Sequence, residues 1–382
     1  MKKFALTIAA VVLSTLQFPD PLDAAPRYVY HAVETLPDAT STKAHDINKA
    51  GRIVGSVSTE DSHWGFLKDP GKPMQPLIGL STPLSSADAC GINERGQVVG
   101  MMTDGENHFR AYLKNPGQPM KELGTLDGAM ISWAYGVNNS GQVVGLSISK
   151  EFQVKAFLKD PGRPMQDLGI VGRARSINDA GQVVGCSEVT VDSSWFPEMR
   201  AFLRNPNGET SDLGSLGGEQ SCAYRINNAG QVVGWAENGQ GNYRAFLKTP
   251  GQPMQDLGIL ADSGDDSDSF VGSLLYMSGG GSHSGTLTGN FSPPIMSTTE
   301  NVAYDINNAG QVAGTSYGKA FLWESGTMYD LNDLVVNLPP GLQCVAAYGI
   351  NDKGWIVGEN SQGEAFFLRP FAPLPLDLLL GD

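Results

Sequence analysis

The segment RINNAGQVVG at Arg225–Gly234 contains a pattern that returns along most of the chain. The pattern is Ile or Val, then Asn, two variable residues, Gly, one variable residue, two aliphatic or small residues, and Gly. A period of about 40 to 50 residues is typical of repeat architectures in which each unit packs on its neighbours. The asparagines of the pattern are spaced by 45, 45, 40, 49, 80 and 44 residues and are Asn48, Asn93, Asn138, Asn178, Asn227, Asn307 and Asn351.

We call this pattern the asparagine phrase, and its asparagine the phrase asparagine. One repeat unit that contains the phrase consists of four short strands. Asn228 and Gly230 are turn residues, because Asn can bond its own backbone and Gly accepts a positive φ. The pair Val232-Val233 suits a strand buried between sheets. Pro250-Gly251 marks a further tight turn. The predicted strands, named A to D in chain order, are Cys222–Asn227, Gln231–Ala236, Tyr243–Lys248 and Met254–Leu260.

The other units repeat this order, and each C strand carries an aromatic core such as Ala156-Phe157-Leu158. The last C strand, Glu364–Arg369, is not followed by a D strand, whereas Tyr28–Leu36 precedes the first phrase and has D-strand character. Four-stranded units of this length are typical of β-propeller blades. The sequence therefore predicts an all-β fold over residues 27–370: a seven-bladed β-propeller of four-stranded antiparallel blades, closed by an N-terminal strand in the last blade.

The 80-residue interval between Asn227 and Asn307 has two interpretations. Residues 261–300 are rich in Ser, Gly and Asp and contain neither an Asn-x-x-Gly phrase nor an Ala-Phe-Leu core. We interpret them as an inserted loop between blades five and six. A decayed eighth blade is the alternative.

The chain begins with the features of an export signal. Lys2 and Lys3 precede the apolar stretch Phe4–Leu16, and small residues follow at Ala24. We expect residues 1–24 to be a signal peptide, residues 371–382 to be a C-terminal tail, and the mature protein to be secreted or periplasmic. The apolar stretch is too short to span a bilayer, so no membrane insertion is expected. The net charge of −14 argues against a nucleic-acid partner, and we expect a monomer.

The units resemble a bacterial extracellular repeat family named for its His-Ala-Phe triplet, the HAF repeat. The resemblance covers roughly residues 30–369 and rests on the Asp-Leu-Gly, Ile-Asn-x-x-Gly-Gln-Val-Val-Gly and Ala-Phe-Leu phrases. It implies an exported repeat protein and supplies no chemistry to transfer. The chain departs from the family at the histidine itself, where it has Trp64, Arg110, Lys155, Arg200, Arg244, Lys319 and Glu364.

The variable loops give the candidate binding residues. In a propeller, the A–B and C–D turns share one face, and the B–C and D–A loops share the other. The repeated turns here are all A–B and C–D, so the variable loops lie on the opposite face, where binding residues are expected. Exposed rings there suit a sugar or protein partner; alternatively, they cap the blade core. The rings are Trp64, Phe109, Trp133, Trp195, Phe196, Trp235 and Tyr243.

Two further sites follow from the acidic and sulfur-bearing residues. Close carboxylates in the insertion suit calcium, although their spacing does not match the twelve-residue calcium loop and a solvated loop is the alternative. No other cofactor is predicted. Cys186 and Cys222 end and begin neighbouring strands on the loop face, which predicts a disulfide between them. The candidate calcium ligands are Asp262, Asp265, Asp266 and Asp268.

The sequence favours a non-catalytic, exported protein that binds a macromolecular partner, glycan or protein, through the loop face. No catalytic residue recurs or clusters, and no nucleophile-elbow pattern is present. One alternative is a hydrolase or lyase that acts on an extracellular polymer at the axial channel, with inward A-strand residues His45, Asp46, Arg225 and Asp305. Another is a structural surface protein.

Overall fold

The structure of the protein is a computed structural model that describes residues 27–36, 38–77, 86–103, 108–189, 198–260 and 301–371. The predicted signal peptide, the insertion at 261–300 and nearly all of the predicted tail lie outside these residues. So do Trp195, Phe196 and the four candidate calcium ligands. No helix in the described ranges is long and apolar enough to cross a membrane.

The described residues form antiparallel strands and one short helix. The first strands are β1 (Tyr28–Ala32), β2 (Ser41–Ile47), β3 (Ile53–Ser58), β4 (His63–Lys68), β5 (Gln75–Leu77), β6 (Ala87–Ile92), β7 (Val98–Thr103), β8 (Phe109–Lys114) and β9 (Met120–Gly124). They are followed by β10 (Ile131–Val137), β11 (Val143–Ile148), β12 (Val154–Lys159), β13 (Met165–Ile177), β14 (Val183–Val189), β15 (Glu198–Arg204) and β16 (Thr210–Asp212).

The second half of the chain continues the same pattern. Its strands are β17 (Gly217–Ile226), β18 (Val232–Asn238), β19 (Tyr243–Lys248), β20 (Met254–Asp256), β21 (Asn301–Ile306), β22 (Val312–Ser316), β23 (Lys319–Glu324), β24 (Thr327–Asp330), β25 (Cys344–Ile350), β26 (Ile356–Asn360) and β27 (Ala365–Pro370). The helix α1 (Leu331–Leu334) follows β24, and the Asp330 side chain caps its first turn.

The strands assemble into four-stranded units. The sheets β2–β5, β6–β9, β17–β20 and β21–β24 each run in chain order. A seven-stranded sheet joins β10 to β16, and its central strand β13 belongs to two units. Residues up to Val171 pair with β12, and residues from Gly172 pair with β14. β13 is therefore the last strand of one unit and the first strand of the next.

The remaining sheet brings together the two ends of the described chain. Its order is β1-β27-β26-β25, and β1 pairs antiparallel with β27, with Tyr28 opposite Pro370 and Ala32 opposite Phe366. This pairing gives the last unit a fourth strand from the N-terminal side of the chain. It also removes an exposed strand edge from each end.

The repeated residues fill the core. The C-strand aromatic rings Phe66, Phe157, Phe246, Phe321 and Phe366 have no exposed surface. Burying one such ring contributes about 2–3 kcal/mol. Clusters join neighbouring units, so each unit depends on the next.

Glycine in the B strands is explained by the same close packing. A Cβ on Gly145 would meet the Trp133 carbonyl oxygen and would lie 2.8 Å from the Phe157 ring. At the A–B turns the predicted positive φ is confirmed; Gly230, for example, has φ 77° and donates its N–H to Asn227 O.

The predicted D strand at Met254–Leu260 is too long. β20 ends at Asp256, because the Asp256 carboxylate accepts the N–H of Gly258 at 2.8 Å. Gly258 itself has φ 86°, which is not a strand conformation. The Asp-Leu-Gly phrase is thus a turn after the strand, and the side chain of Leu257 is still buried in the core.

Candidate functional site

The phrase asparagines bond to one another across the units. Each side-chain Nδ2 donates to the main-chain carbonyl of the next phrase asparagine at 2.8–3.1 Å, and Asn351 donates to Asn48, where the series began. We call these seven residues the asparagine ring. Each Oδ1 accepts N–H groups of its own turn, as Asn227 does from Ala229 and Gln231. These buried hydrogen bonds explain why asparagine recurs at this position in every unit.

A second series of bonds, which we call the outer series, joins the residues that follow the phrase asparagines. In each of six units the N–H of the residue after the phrase asparagine donates to a side-chain oxygen of the equivalent residue in the next unit. Lys49 completes the series differently: its Nζ lies 2.6 Å from Asp352 Oδ2. Burial alone would raise the pKa of Asp352, but hydrogen bonds from Lys49 and Asn308 outweigh it and lower that pKa.

A cavity of about 190 Å³ opens at this end of the A strands, which we call the asparagine end. Arg225 lies in its lining, with its guanidinium 3.1 Å from Asp46 and 2.8 Å from Asp305. Burial raises the pKa of Asp305 to about 6, against the opposing effect of Arg225. The predicted inward residues Asp46, Arg225 and Asp305 therefore do meet.

The two carboxylates of this triad are fully engaged. Asp46 accepts the N–H groups of Ile47 and Ile92 at 2.8 and 3.0 Å, and Asp305 accepts two equivalent N–H groups at 2.9 and 2.8 Å. Their hydrogen bonds join one unit to the next. Glycoside hydrolysis needs one carboxyl group free to protonate a leaving group and another free to attack or activate water, and this pair does not offer them.

The other end of the A strands, the loop end, is chemically different. Counting back from each phrase asparagine, the fourth residue is always a fully buried alanine, such as Ala174. The third residue varies, however, and the structure brings these residues together between the units. They are His45, Cys90, Tyr135, Arg175, Tyr224, Tyr304 and Tyr348.

Five of these seven form a continuous series of contacts, which we call the tyrosine arc: Tyr135, Arg175, Tyr224, Tyr304 and Tyr348. The Arg175 guanidinium lies 4.1 Å from the centroid of the Tyr224 ring and 5.7 Å from that of Tyr135. The Tyr304 ring lies 5.6 Å from Tyr224 and 5.1 Å from Tyr348. Among the described residues Arg175 has no ion-pair partner, and its buried Nε has no hydrogen-bond partner.

The remaining sector of the loop end contains His45, Cys90 and Asp88. His45 Nδ1 lies 3.0 Å from Ala89 O and 3.4 Å from Asp88 Oδ1, and its Nε2 lies 3.4 Å from Ser56 Oγ. Asp88 has no exposed surface, and neither of its carboxylate oxygens has a hydrogen-bond partner within the part of the chain that the structure describes.

The thiol of Cys90 belongs to the same sector. It accepts the indole N–H of Trp133 at 3.1 Å. Burial, reinforced by the Asp88 carboxylate, raises the pKa of Cys90 well above its ordinary value. The thiol is therefore protonated at neutral pH and acts as an uncharged acceptor.

The aromatic residues predicted to bind a partner fall into two groups. Trp64, Phe109 and Tyr243 are half-buried, so a binding role for them stays a prediction. Trp133 and Trp235 are only 7% and 6% exposed, which corrects the expectation of exposed rings. Both pack in core clusters, and Trp235 meets the edge of Tyr243 at 4.8 Å. The alternative interpretation, that such rings cap the blade core, describes these two.

The predicted cysteine pair is adjacent in the structure. Cys186 of β14 and Cys222 of β17 are joined as a disulfide with their Cα atoms 4.9 Å apart. The bond links two neighbouring units near the loop end. Its formation in the oxidised protein stays a prediction until the thiols are counted. No group of three or more His, Cys, Asp or Glu side chains within the described ranges could hold a metal ion.

The sequence reasoning missed the tyrosine arc, although a signal was present. Aligning the A strands on the phrase asparagine places Tyr at the third preceding position in four units and Arg175 in a fifth. The A-strand residues expected to face inward were instead four charged or titratable ones, His45, Asp46, Arg225 and Asp305. The arc instead depends on contacts between units, which the repeat spacing does not show.

No protein-family model matches the chain, and no curated protein matches it. Among solved structures, the chain is similar to the β-propeller domain of the Trilobed protease from Pyrococcus furiosus, which has an open velcro topology. The TM-score is 0.52 at 8% identity, covering 86% of this chain and 95% of that one. It is also similar to streptogramin B lyase, with a TM-score of 0.50 at 8% identity, covering 90% of this chain and 98% of that one. At these identities the likeness shows the fold alone: this chain has an all-β, propeller-like fold of four-stranded blades.

Proposed function

We propose that the chain is an exported, closed, seven-bladed β-propeller that binds an extracellular macromolecule at its loop end without transforming it. Closure is supported by the bond from Asn351 back to Asn48 and by the pairing of β1 with β27. Counting β13 once in each of its two units gives seven blades. The resemblance to the HAF repeat family and the N-terminal signal features support export to the periplasm or beyond.

One observation carries the binding proposal: the two ends of the A strands differ in how their polar groups are satisfied. At the asparagine end each phrase asparagine donates its side-chain N–H to the main-chain carbonyl of the next phrase asparagine. At the loop end, buried polar atoms of Asp88 and Arg175 have no hydrogen-bond partner among the described residues. Buried polar groups are nearly always paired, so unpaired ones at one end of a rigid scaffold indicate a place where a ligand or water completes them.

A glycan array probed with the mature, labelled protein tests this proposal. We expect binding to at least one glycan, and we expect the triple variant Trp64→Ala, Phe109→Ala, Tyr243→Ala to lose most of it. Arg163→Ala is the matched control, because Arg163 is a mainly exposed side chain in a C–D turn on the opposite face. Silence across the array, or equal binding by the triple variant and the wild type, would contradict the proposal as it concerns glycans and those three rings.

Hydrolysis is a second candidate function, favoured by the arrangement of Ser56, His45 and Asp88. In such a reaction Ser56 Oγ would attack an ester carbonyl while His45 Nε2 took its proton and returned it to the leaving alcohol; water would then release the acyl group. Binding is the better supported function, because Ser56 is only 5% exposed and His45 Nδ1 lies closer to Ala89 O than to Asp88. Labelling by a fluorophosphonate that is abolished by Ser56→Ala would reverse this order.

A further inference from the structure

We propose that the tyrosine arc is a binding site for a uronate-bearing glycan, with Arg175 as the residue that holds the sugar carboxylate. This inference rests on the binding function proposed above and specifies its ligand. The juxtaposition that carries it is a guanidinium that lies between two tyrosine rings and has no ion-pair partner in the described residues.

Arg175 is positioned by stacking rather than by an acid. The rings of Tyr135 and Tyr224 hold the guanidinium from neighbouring units, and cation–π contact orients its plane. A half-buried guanidinium is ordinarily paired with a carboxylate, because an unpaired buried charge is costly. Arg175 has no such pair among the described residues, so its planar set of N–H donors is available to a ligand. That set matches the two oxygens of a carboxylate.

The neighbouring loop-end arginine is different. Arg173 lies 3.8 Å from Glu188, and Lys43 lies 3.2 Å from Glu359, so both of these cations already have acidic partners. Arg175 is therefore the loop-end cation of these three that remains available. A single available guanidinium suits a ligand with isolated carboxylates better than one with a dense phosphate backbone.

The surrounding side chains favour a sugar as the bearer of that carboxylate. Tyr224, the half-buried ring of the tyrosine arc, offers part of an apolar ring to the C–H groups of a pyranose and a phenolic oxygen to its hydroxyls. A uronate carries several hydroxyls beside its carboxylate, whereas an acidic peptide brings carboxylates with few hydroxyls.

The charge of the whole chain restricts how such a ligand is recognised. At a net charge of −14, the protein repels polyanions at long range. At physiological salt the screening length is about 8 Å, so short-range contacts around Arg175 decide binding. We therefore expect recognition of a few residues at a chain end or a single uronate, rather than affinity that increases with polymer charge.

The test is calorimetric titration of the mature protein with trimers of galacturonate, glucuronate and mannuronate. We expect at least one trimer to bind the wild type. Arg175→Gln should weaken that binding at least about tenfold, because a charge-assisted hydrogen bond contributes about 1.5–3 kcal/mol. Arg163→Gln, with the same change of charge on the opposite face, should bind as the wild type does. The methyl ester of the same trimer should bind about as weakly to the wild type as the free acid binds to Arg175→Gln.

Two further measurements keep the result interpretable. Urea unfolding of Arg175→Gln establishes that the variant is folded, and Tyr224→Leu, which removes the closer stacking ring, should also weaken uronate binding. A wild type that binds neutral glycans on the array but none of the three trimers would overturn this inference and leave the proposed function standing. Binding of a hexaglutamate peptide in place of the trimers would also overturn it, as would unchanged trimer binding by folded Arg175→Gln. A protein silent towards every glycan would overturn this inference together with the glycan form of the proposed function.

Discussion

The asparagine end and the loop end of the A strands are built from the same strands and differ in what repeats. At the asparagine end, the same residue in every unit makes the same bond to the next unit. At the loop end, only the alanine four residues before each phrase asparagine is kept in all units. The residue directly after that alanine changes from Tyr to Arg, His or Cys. The repeated end thus specifies assembly, and the unrepeated end is where a chain-specific ligand can be selected.

The largest expected effect on stability comes from replacing one asparagine of the asparagine ring. Asn351→Ala removes the bond to Asn48 O at 2.9 Å and leaves the N–H groups of Lys353 and Trp355 without their acceptor. We expect the free energy of unfolding to fall by about 4 kcal/mol, because buried polar groups lose their partners. Urea unfolding measures it.

The matched control for that variant is Asn207→Ala. Asn207 lies in an exposed turn and accepts one N–H from Glu209 at 3.1 Å, so its loss should cost less than about 1 kcal/mol. Equal losses in the two variants would mean that the asparagine ring does not contribute specially to assembly.

The units are cross-linked by a disulfide near the loop end, whereas hydrogen bonds join them at the asparagine end. Removing the bond between Cys186 and Cys222 tests how much this cross-link contributes to stability. Replacing both residues by Ala should lower the free energy of unfolding by about 3 kcal/mol, since the bond closes a long loop. Thiol titration of the denatured, unreduced protein should find only Cys90 and Cys344. Detection of all four thiols would show that the bond does not form.

Protonation of Asp305 tests the triad of Asp46, Arg225 and Asp305 at the asparagine end. Its pKa is about 6 in the folded protein, against an ordinary value of 3.8, so the folded state holds a proton that the unfolded chain releases between these values. The contribution of this group to stability is therefore greatest below pH 3.8 and is lost as the pH rises through about 6. The free energy of unfolding should therefore fall by about 3 kcal/mol over that window, and we expect Asp305→Asn to remove this fall.

Urea unfolding across the same pH window measures this effect. Glu209→Gln is the control, because Glu209 is exposed and should leave the slope unchanged. A wild-type slope that survives in Asp305→Asn would assign the pH dependence to other groups.

The smallest effect is expected at Lys49, which completes the outer series through Asp352. Lys49→Met should cost less than about 1 kcal/mol, because the lysine side chain is half exposed and such pairs contribute little. The difference from wild type should shrink further at high salt, where the pair is screened. A salt-independent loss larger than that of Asn351→Ala would show that the outer series contributes more to stability than the asparagine ring does.

Much of the scaffold was predictable because it depends on local chemistry. The turn glycines, the buried C-strand rings and the D-like character of Tyr28–Leu36 follow from residue type and order. The candidate site was harder to predict from the sequence. Arg225 meets Asp305 across 80 residues of chain, and Arg175 meets Tyr135 and Tyr224 from neighbouring units. Such contacts depend on how the units pack, and the same packing buries Trp133 and Trp235.

The continuity of β13 has a consequence for motion. At Val171 and Gly172 the backbone passes from one sheet directly into the next, without an intervening linker. Elsewhere in the described ranges, as between β9 and β10, consecutive sheets are joined by non-strand residues that can absorb small rotations. Rotation of one sheet relative to the next should therefore be smallest between the two sheets that share β13. Arg175 lies three residues beyond Gly172 on this continuous strand, so we expect its backbone to be held in place by both sheets.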